Sequence, residues 1–237
     1  MKIAIGRNSN SDVYYKDISS LPHLFISYSY PEQLIALYKR YIAAIMRSKN
    51  TEVFLLFSAG TAGKLLPVSD FAQQPHVCIY NAEEGGNIST RKEFFYTLLT
   101  LSNKRFRILK KQGAVSFDAY NAMDKIKPMC RVIVFTDDTF SLLLPPNSTD
   151  AVSFVKLLLA GHNTGIHCIA ASASGYKNLM NQLINLDVKI NRHIRKFIAD
   201  KNIHTLPPLA AEMIINAEDF IFFKNKELQD YIRLYNL

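Results

Sequence analysis

The sequence predicts an α/β fold, with a mostly parallel central sheet and helices on both faces. Three observations predict it. Short apolar runs alternate with amphipathic stretches along the whole chain, the pattern of strands joined by helical crossovers. Runs such as Val53–Phe57 and Val132–Phe135 are continuously apolar, as strands covered on both faces are. The chain has 237 residues, 49% of them hydrophobic, with no repeat or low-complexity segment, so it can bury a sizeable core and reads as one domain over 1–237.

The elements follow in order. Leu21–Ile26 is an apolar strand. After a turn, Pro31 suits the first helical position, and Leu34, Leu37, Tyr38, Tyr41, Ile42, Ile45 and Met46 recur at helical spacing. Val53–Phe57 and Val77–Tyr80 are further strands. Thr90-Arg91-Lys92-Glu93 has the spacing of a capping box, and the helix it opens should run to Gln112, with Gly113 placed to end it. Arg131–Thr136 is a strand ending in Asp137-Asp138. A helix from about Asp150 to His162 and the strand Ile166–Ala171 come next. Helical stretches near Tyr176–Leu186 and Arg192–Asp200 precede a late strand, Phe220–Phe223, and a short polar C-terminal helix.

Composition narrows the function classes. The formal charge is +8 with a pI near 9.3, which favours an anionic partner such as nucleic acid. Most of the excess sits at Lys104, Arg105, Arg107, Lys110 and Lys111. That cluster reads equally as a binding face for DNA or a protein partner and as cations stabilising the negative end of a helix dipole. Cys78, Cys130 and Cys168 are far apart and lie in apolar surroundings, so a reduced, cytoplasmic chain without disulfides or a zinc site is expected. None of the six histidines pairs at metal-ligand spacing, and His167, inside an apolar strand, reads as a core histidine. Met1–Gly6 is too short for a signal peptide, and no run approaches the ~20 residues needed to cross a bilayer. Direct membrane insertion is therefore not expected.

Several separated stretches resemble, in order, the motor domain of the FtsK/SpoIIIE family of DNA translocases. Leu21–Ile26 is similar to the strand leading into that family's phosphate loop. Lys104-Arg105-Phe106-Arg107 with Gly113, Tyr120 and Asn121 resembles its basic helix and the following "GVRNLAGYN"-type segment. Val132–Asp138 resembles its Walker B strand, with Asp138 at the place of the usual glutamate. Thr164–Ser172 is similar to its "AGIHLILATQ" strand, and Ala211-Glu212-Met213-Ile214 with Asp219 to its "AEKLLGMGDML" segment. The resemblance implies a three-layer RecA-like P-loop NTPase fold, and partners that are DNA or FtsK-like subunits, with an oligomer an option.

At the implied nucleotide site every diagnostic residue departs. The family's "GTTGSGKS" loop aligns with Tyr28, Ser29, Tyr30, Pro31, Glu32, Gln33, Leu34 and Ile35. A phosphate loop needs glycines so that successive N–H groups converge on oxygens, a lysine for the β/γ-phosphates and a hydroxyl for magnesium. Here Tyr28, Pro31 and Gln33 replace glycines, and Leu34 and Ile35 replace the lysine and hydroxyl. Pro31 has no N–H to donate, and Glu32 places a negative charge where a triphosphate would bring its own. Asp137 and Asp138 occupy the strand end where such folds place magnesium-facing carboxylates, and turn or cap roles are the alternative. Ala173 stands where the family has a γ-phosphate-sensing glutamine. Ser58–Leu65, "SAGTAGKL", imitates a phosphate loop, but Pro67 cuts off the helix it would need.

The expectation is a domain with a degenerate Walker A motif, a pseudo-ATPase that needs no cofactor and binds DNA or partner subunits. The alternatives are a docking module of an FtsK-like secretion system, using the vacated pocket at Tyr28 and Tyr30, and an active translocase using ATP and magnesium at a site rebuilt from Lys64 and Asp137.

Overall fold

A computed structural model of the chain describes residues 2–7, 13–17, 23–28, 30–47, 51–57, 77–81, 88–124, 127–142, 148–173, 211–215, 220–225 and 229–233. The described elements run β1 (Lys2–Arg7), β2 (Val13–Asp17), β3 (Leu24–Tyr28), α1 (Pro31–Met46), β4 (Thr51–Phe57), β5 (Val77–Asn81), α2 (Ile88–Gln112), α3 (Phe117–Asn121), β6 (Arg131–Thr136), α4 (Thr139–Leu142), α5 (Thr149–Ala160), a 3-10 turn (His162–Thr164), β7 (Ile166–Ser172), β8 (Ala211–Ile215), β9 (Phe220–Asn225) and β10 (Gln229–Arg233).

All ten strands form one sheet in the order β2-β1-β10-β9-β8-β3-β7-β6-β4-β5. The stretch from β8 to β5 is parallel throughout, as the continuous apolar runs require. On the far side of β8 the sheet continues antiparallel through β9, β10, β1 and β2. From β3 the chain crosses to β4, beyond β7 and β6; from β7 it returns past β3 to β8. Crossovers thus leave in opposite senses around β3, and a crevice outside the strand C-termini is expected at such a point.

Helices cover both faces. On one, Val132, Val134, Ile166, Cys168 and Ala170 pack with Phe94, Phe95 and Leu98 of α2 and with Phe154, Leu157 and Leu158 of α5. Residues one step along the strands point the other way, and there the Phe135 ring meets Tyr38 of α1 edge-on at 5.0 Å. The α1 stripe Leu34, Leu37, Tyr38, Tyr41, Ile42 and Ile45 is buried. Each such side chain contributes about 1.5–3 kcal/mol by leaving water.

Local chemistry sets the helix ends. Ser148 caps α5, its hydroxyl accepting from the Ala151 N–H at 3.1 Å, and Asp150 in the first turn complements the dipole. α2 ends at Gly113, whose φ is +68°. There the Ala114 N–H donates to the Leu109 carbonyl at 3.0 Å and the Gly113 N–H to that of Lys110 at 3.3 Å, the paired bonds of a Schellman ending.

Two sequence expectations are corrected. α2 begins at Ile88, so Thr90 lies inside its first turn and is not the cap. The polar C-terminal stretch is not a helix: Gln229–Arg233 is β10, antiparallel to β9 with Tyr231 opposite Phe222. Pairing with a neighbouring apolar strand outweighs the weak local preference of a polar pentapeptide. The expected helices at 176–186 and 192–200, and the 58–65 stretch, lie outside the described residues.

Candidate functional site

The crevice expected at β3 falls at its junction with α1. β3 ends at Tyr28 and α1 begins at Pro31, so Ser29 and Tyr30 are the entire connection; Ser29 lies outside the described residues. Tyr30 is extended, with φ −125° and ψ 131°, and offers no side-chain cap to the helix. Its carbonyl accepts from the Gln33 N–H at 3.1 Å, while Pro31 contributes no donor. From Leu24 to Ile35 the sequence contains neither lysine nor arginine. Leu34 is 1% exposed and Ile35 8%. The positions aligned with a phosphate-binding lysine and a magnesium-binding hydroxyl therefore face the core. Tyr30, Pro31 and Glu32 are exposed and Gln33 is partly buried.

Two phenols fasten the neighbouring strand end. The Tyr28 hydroxyl donates to the Asp137 carbonyl at 3.1 Å. The Tyr38 hydroxyl, wholly buried, donates to the Thr136 carbonyl at 2.7 Å, with the Ile169 carbonyl at 3.2 Å. Thr136 and Thr139 share a hydroxyl–hydroxyl bond of 2.7 Å just beyond. Burial, then the nearby Asp137 and Asp138 carboxylates, push the Tyr28 phenol up to about 12, so it stays protonated and keeps its bond. Asp137 is buried and Asp138 exposed. Thus the structure brings Tyr28 together with the Walker B-like end through a tyrosine–carbonyl bond. Among the described residues no group of three His, Cys, Asp or Glu side chains could hold a metal ion.

The basic cluster divides. Lys104, Arg107, Lys110 and Lys111 are exposed on α2, but Arg105 is 5% exposed and turned inward. Its guanidinium donates to the carbonyls of Thr164 at 2.9 Å and Cys130 at 2.6 Å and lies 5.5 Å from the centre of the Phe117 ring. Arg105 is corrected from a binding-face residue to a bracket joining α2, β6 and the turn before β7. The signal was in the sequence: 105 falls on the same helical face as Phe94, Leu98 and Leu109. Because Arg105 reaches Cys130, the basic end of α2 lies by the start of β6. Asp137 follows its end, a strand of six residues away, or about 20 Å. The basic face and the Tyr28 junction are not brought together.

Of two buried histidines, His167 is the core histidine its apolar strand predicted, and His23 escaped the sequence pattern. His23, 1% exposed, donates from Nε2 to the Leu158 carbonyl at 2.6 Å and accepts at Nδ1 from the Cys168 N–H at 3.0 Å. Burial, and then the neighbouring His167, lower its pKa from 6.5 to about 3. His167 is buried and receives a hydrogen bond from Arg131, which also pairs with Asp118.

No family model matches the chain, and no curated protein matches it. Solved structures do. A two-ATPase piece (ATPases 2 and 3) of EssC from Geobacillus thermodenitrificans superposes with a TM-score of 0.64 at 14% identity, over 99% of this chain and 44% of that one. The pCW3 conjugation coupling protein TcpA, with ATPγS, gives 0.65 at 11% identity over 98% and 64%. The cytoplasmic domain of the type VII secretion ATPase EccC from Thermomonospora curvata gives 0.65 at 17% identity over 98% and 28%. The chain spans less than two thirds of the length of each. Among the described residues no helix is long and apolar enough to cross a membrane. The fold is the RecA-like α/β fold of these ATPase domains, a parallel central sheet with helices on both faces.

Proposed function

We propose that the chain is a catalytically degenerate FtsK/SpoIIIE-like domain, a pseudo-ATPase that acts by binding partner subunits or DNA in a transfer system. One observation carries the reading: β3 passes into α1 through Ser29 and Tyr30 alone, with Pro31 at the helix start and Leu34 and Ile35 in the core. A triphosphate held in this fold draws on a ring of backbone N–H groups and a lysine. Charge-assisted hydrogen bonds contribute ~1.5–3 kcal/mol each, so losing three removes roughly 5–9 kcal/mol, the difference between micromolar and negligible affinity. The Tyr28 and Tyr38 bonds to the end of β6 support the same reading, since they tie that end to β3 and α1 with protein groups.

The test is steady-state turnover of ATP with magnesium, alone and with DNA added. The reading expects none above background. Turnover that disappears on Lys64→Ala would favour the rebuilt-site translocase instead.

A further inference from the structure

The exposed face of α2 has two halves with different explanations. A helix dipole acts on cations within the last turn, which accounts for Lys110 and Lys111 beside Gln112. Lys104 and Arg107 lie about 12 and 8 Å back from that end, beyond its reach, and both are exposed. The only carboxylate on α2 is Glu93, near its start. Neither helix stability nor pairing within α2 explains the two cations. Lys104 and Arg107 line a surface depression together with Thr100, Asn103 and Ile108, residues that share one stripe at helical spacing.

We propose that this depression docks an acidic segment of a protein partner. The proposal deepens the reading of the chain as a binding subunit by naming the chemistry of the partner. Two cations provide charge for a carboxylate, and Thr100 supplies a hydroxyl donor. Ile108 and the alkyl stems of Lys104 and Arg107 provide an apolar wall for the aliphatic part of a side chain. A nucleic-acid track is less well matched. The exposed cations Lys104, Arg107, Lys110 and Lys111 fall within about 10 Å of helix axis, whereas firm backbone binding uses roughly 6–10 phosphate contacts.

The experiment compares two variants that each remove two charges, Lys104→Gln/Arg107→Gln and Lys110→Gln/Lys111→Gln. The probe is a short dye-labelled helical peptide with a glutamate stripe beside leucines, read by fluorescence anisotropy. A glutamine-substituted peptide and a DNA duplex serve as competitors, and thermal melting checks that both variants fold. The wild type should bind the acidic peptide. The 104/107 variant should lose roughly tenfold or more in affinity, the 110/111 variant clearly less, and neither competitor should displace the probe. Equal loss in the two variants, no loss in the 104/107 variant, no binding by the wild type, or displacement by either competitor would overturn the proposal. ATP turnover by the chain would end the pseudo-ATPase reading without altering this result, so the two failures are distinguishable.

Discussion

Acid should loosen this fold through His23. Folding lowers its pKa from 6.5 to about 3, so below pH 6.5 the unfolded chain takes up a proton that the folded chain refuses. The stabilisation is complete above the unfolded value and is lost progressively as pH falls toward 3. Between those two values each pH unit is worth about 1.4 kcal/mol, so passing from pH 7 to pH 5 should cost about 2 kcal/mol from this residue, with about 5 kcal/mol as the ceiling. His162, also lowered by burial, acts in the same sense. Urea unfolding at the two pH values reads the loss as a change in midpoint. His23→Gln keeps a donor for the Leu158 carbonyl and removes the titrating ring, but leaves the Cys168 N–H poorly matched. It should lower stability at pH 7 by roughly 1–3 kcal/mol and flatten the acid dependence. A variant with the wild-type pH dependence would refute the reasoning.

Three further outcomes follow from the packing. Gly165 has φ +73°, and a Cβ there would collide with the Phe117 ring, whereas Gly113 at φ +68° has open space. Gly113→Ala should therefore cost roughly 1–2 kcal/mol in a denaturant melt, and Gly165→Ala about 1–3 kcal/mol more. Arg105→Lys should lose roughly 2–3 kcal/mol, because an ammonium cannot span the Thr164 and Cys130 carbonyls, while the exposed Arg107→Lys should melt like the parent. Tyr38→Phe should lower stability by about 1–2 kcal/mol through loss of the buried hydrogen bond to the Thr136 carbonyl, again read by urea midpoint.

What could be read from the sequence was set by local pattern. The parallel strands β3 to β7 announced themselves because burial on both faces demands unbroken apolar runs, and Gly113 marked its helix end because only a residue tolerant of positive φ closes it cheaply. What failed depended on distant partners. β10 is polar and becomes a strand only beside β9, and β1 joins the sheet through β10 at the other end of the chain. The candidate site was legible in the residues missing from the Tyr28–Ile35 turn. The bonds of Tyr28 and Tyr38 to β6 were not, since their acceptors lie about a hundred residues away. His23 was missed for the same reason: its partners are Leu158 and Cys168.

The central claim is that a glycine-free corner entering a helix at Pro31 holds no triphosphate. Calorimetric titration of the whole chain with ATP and magnesium tests it most directly. The account predicts no saturable heat even at millimolar nucleotide; a micromolar dissociation constant would contradict it.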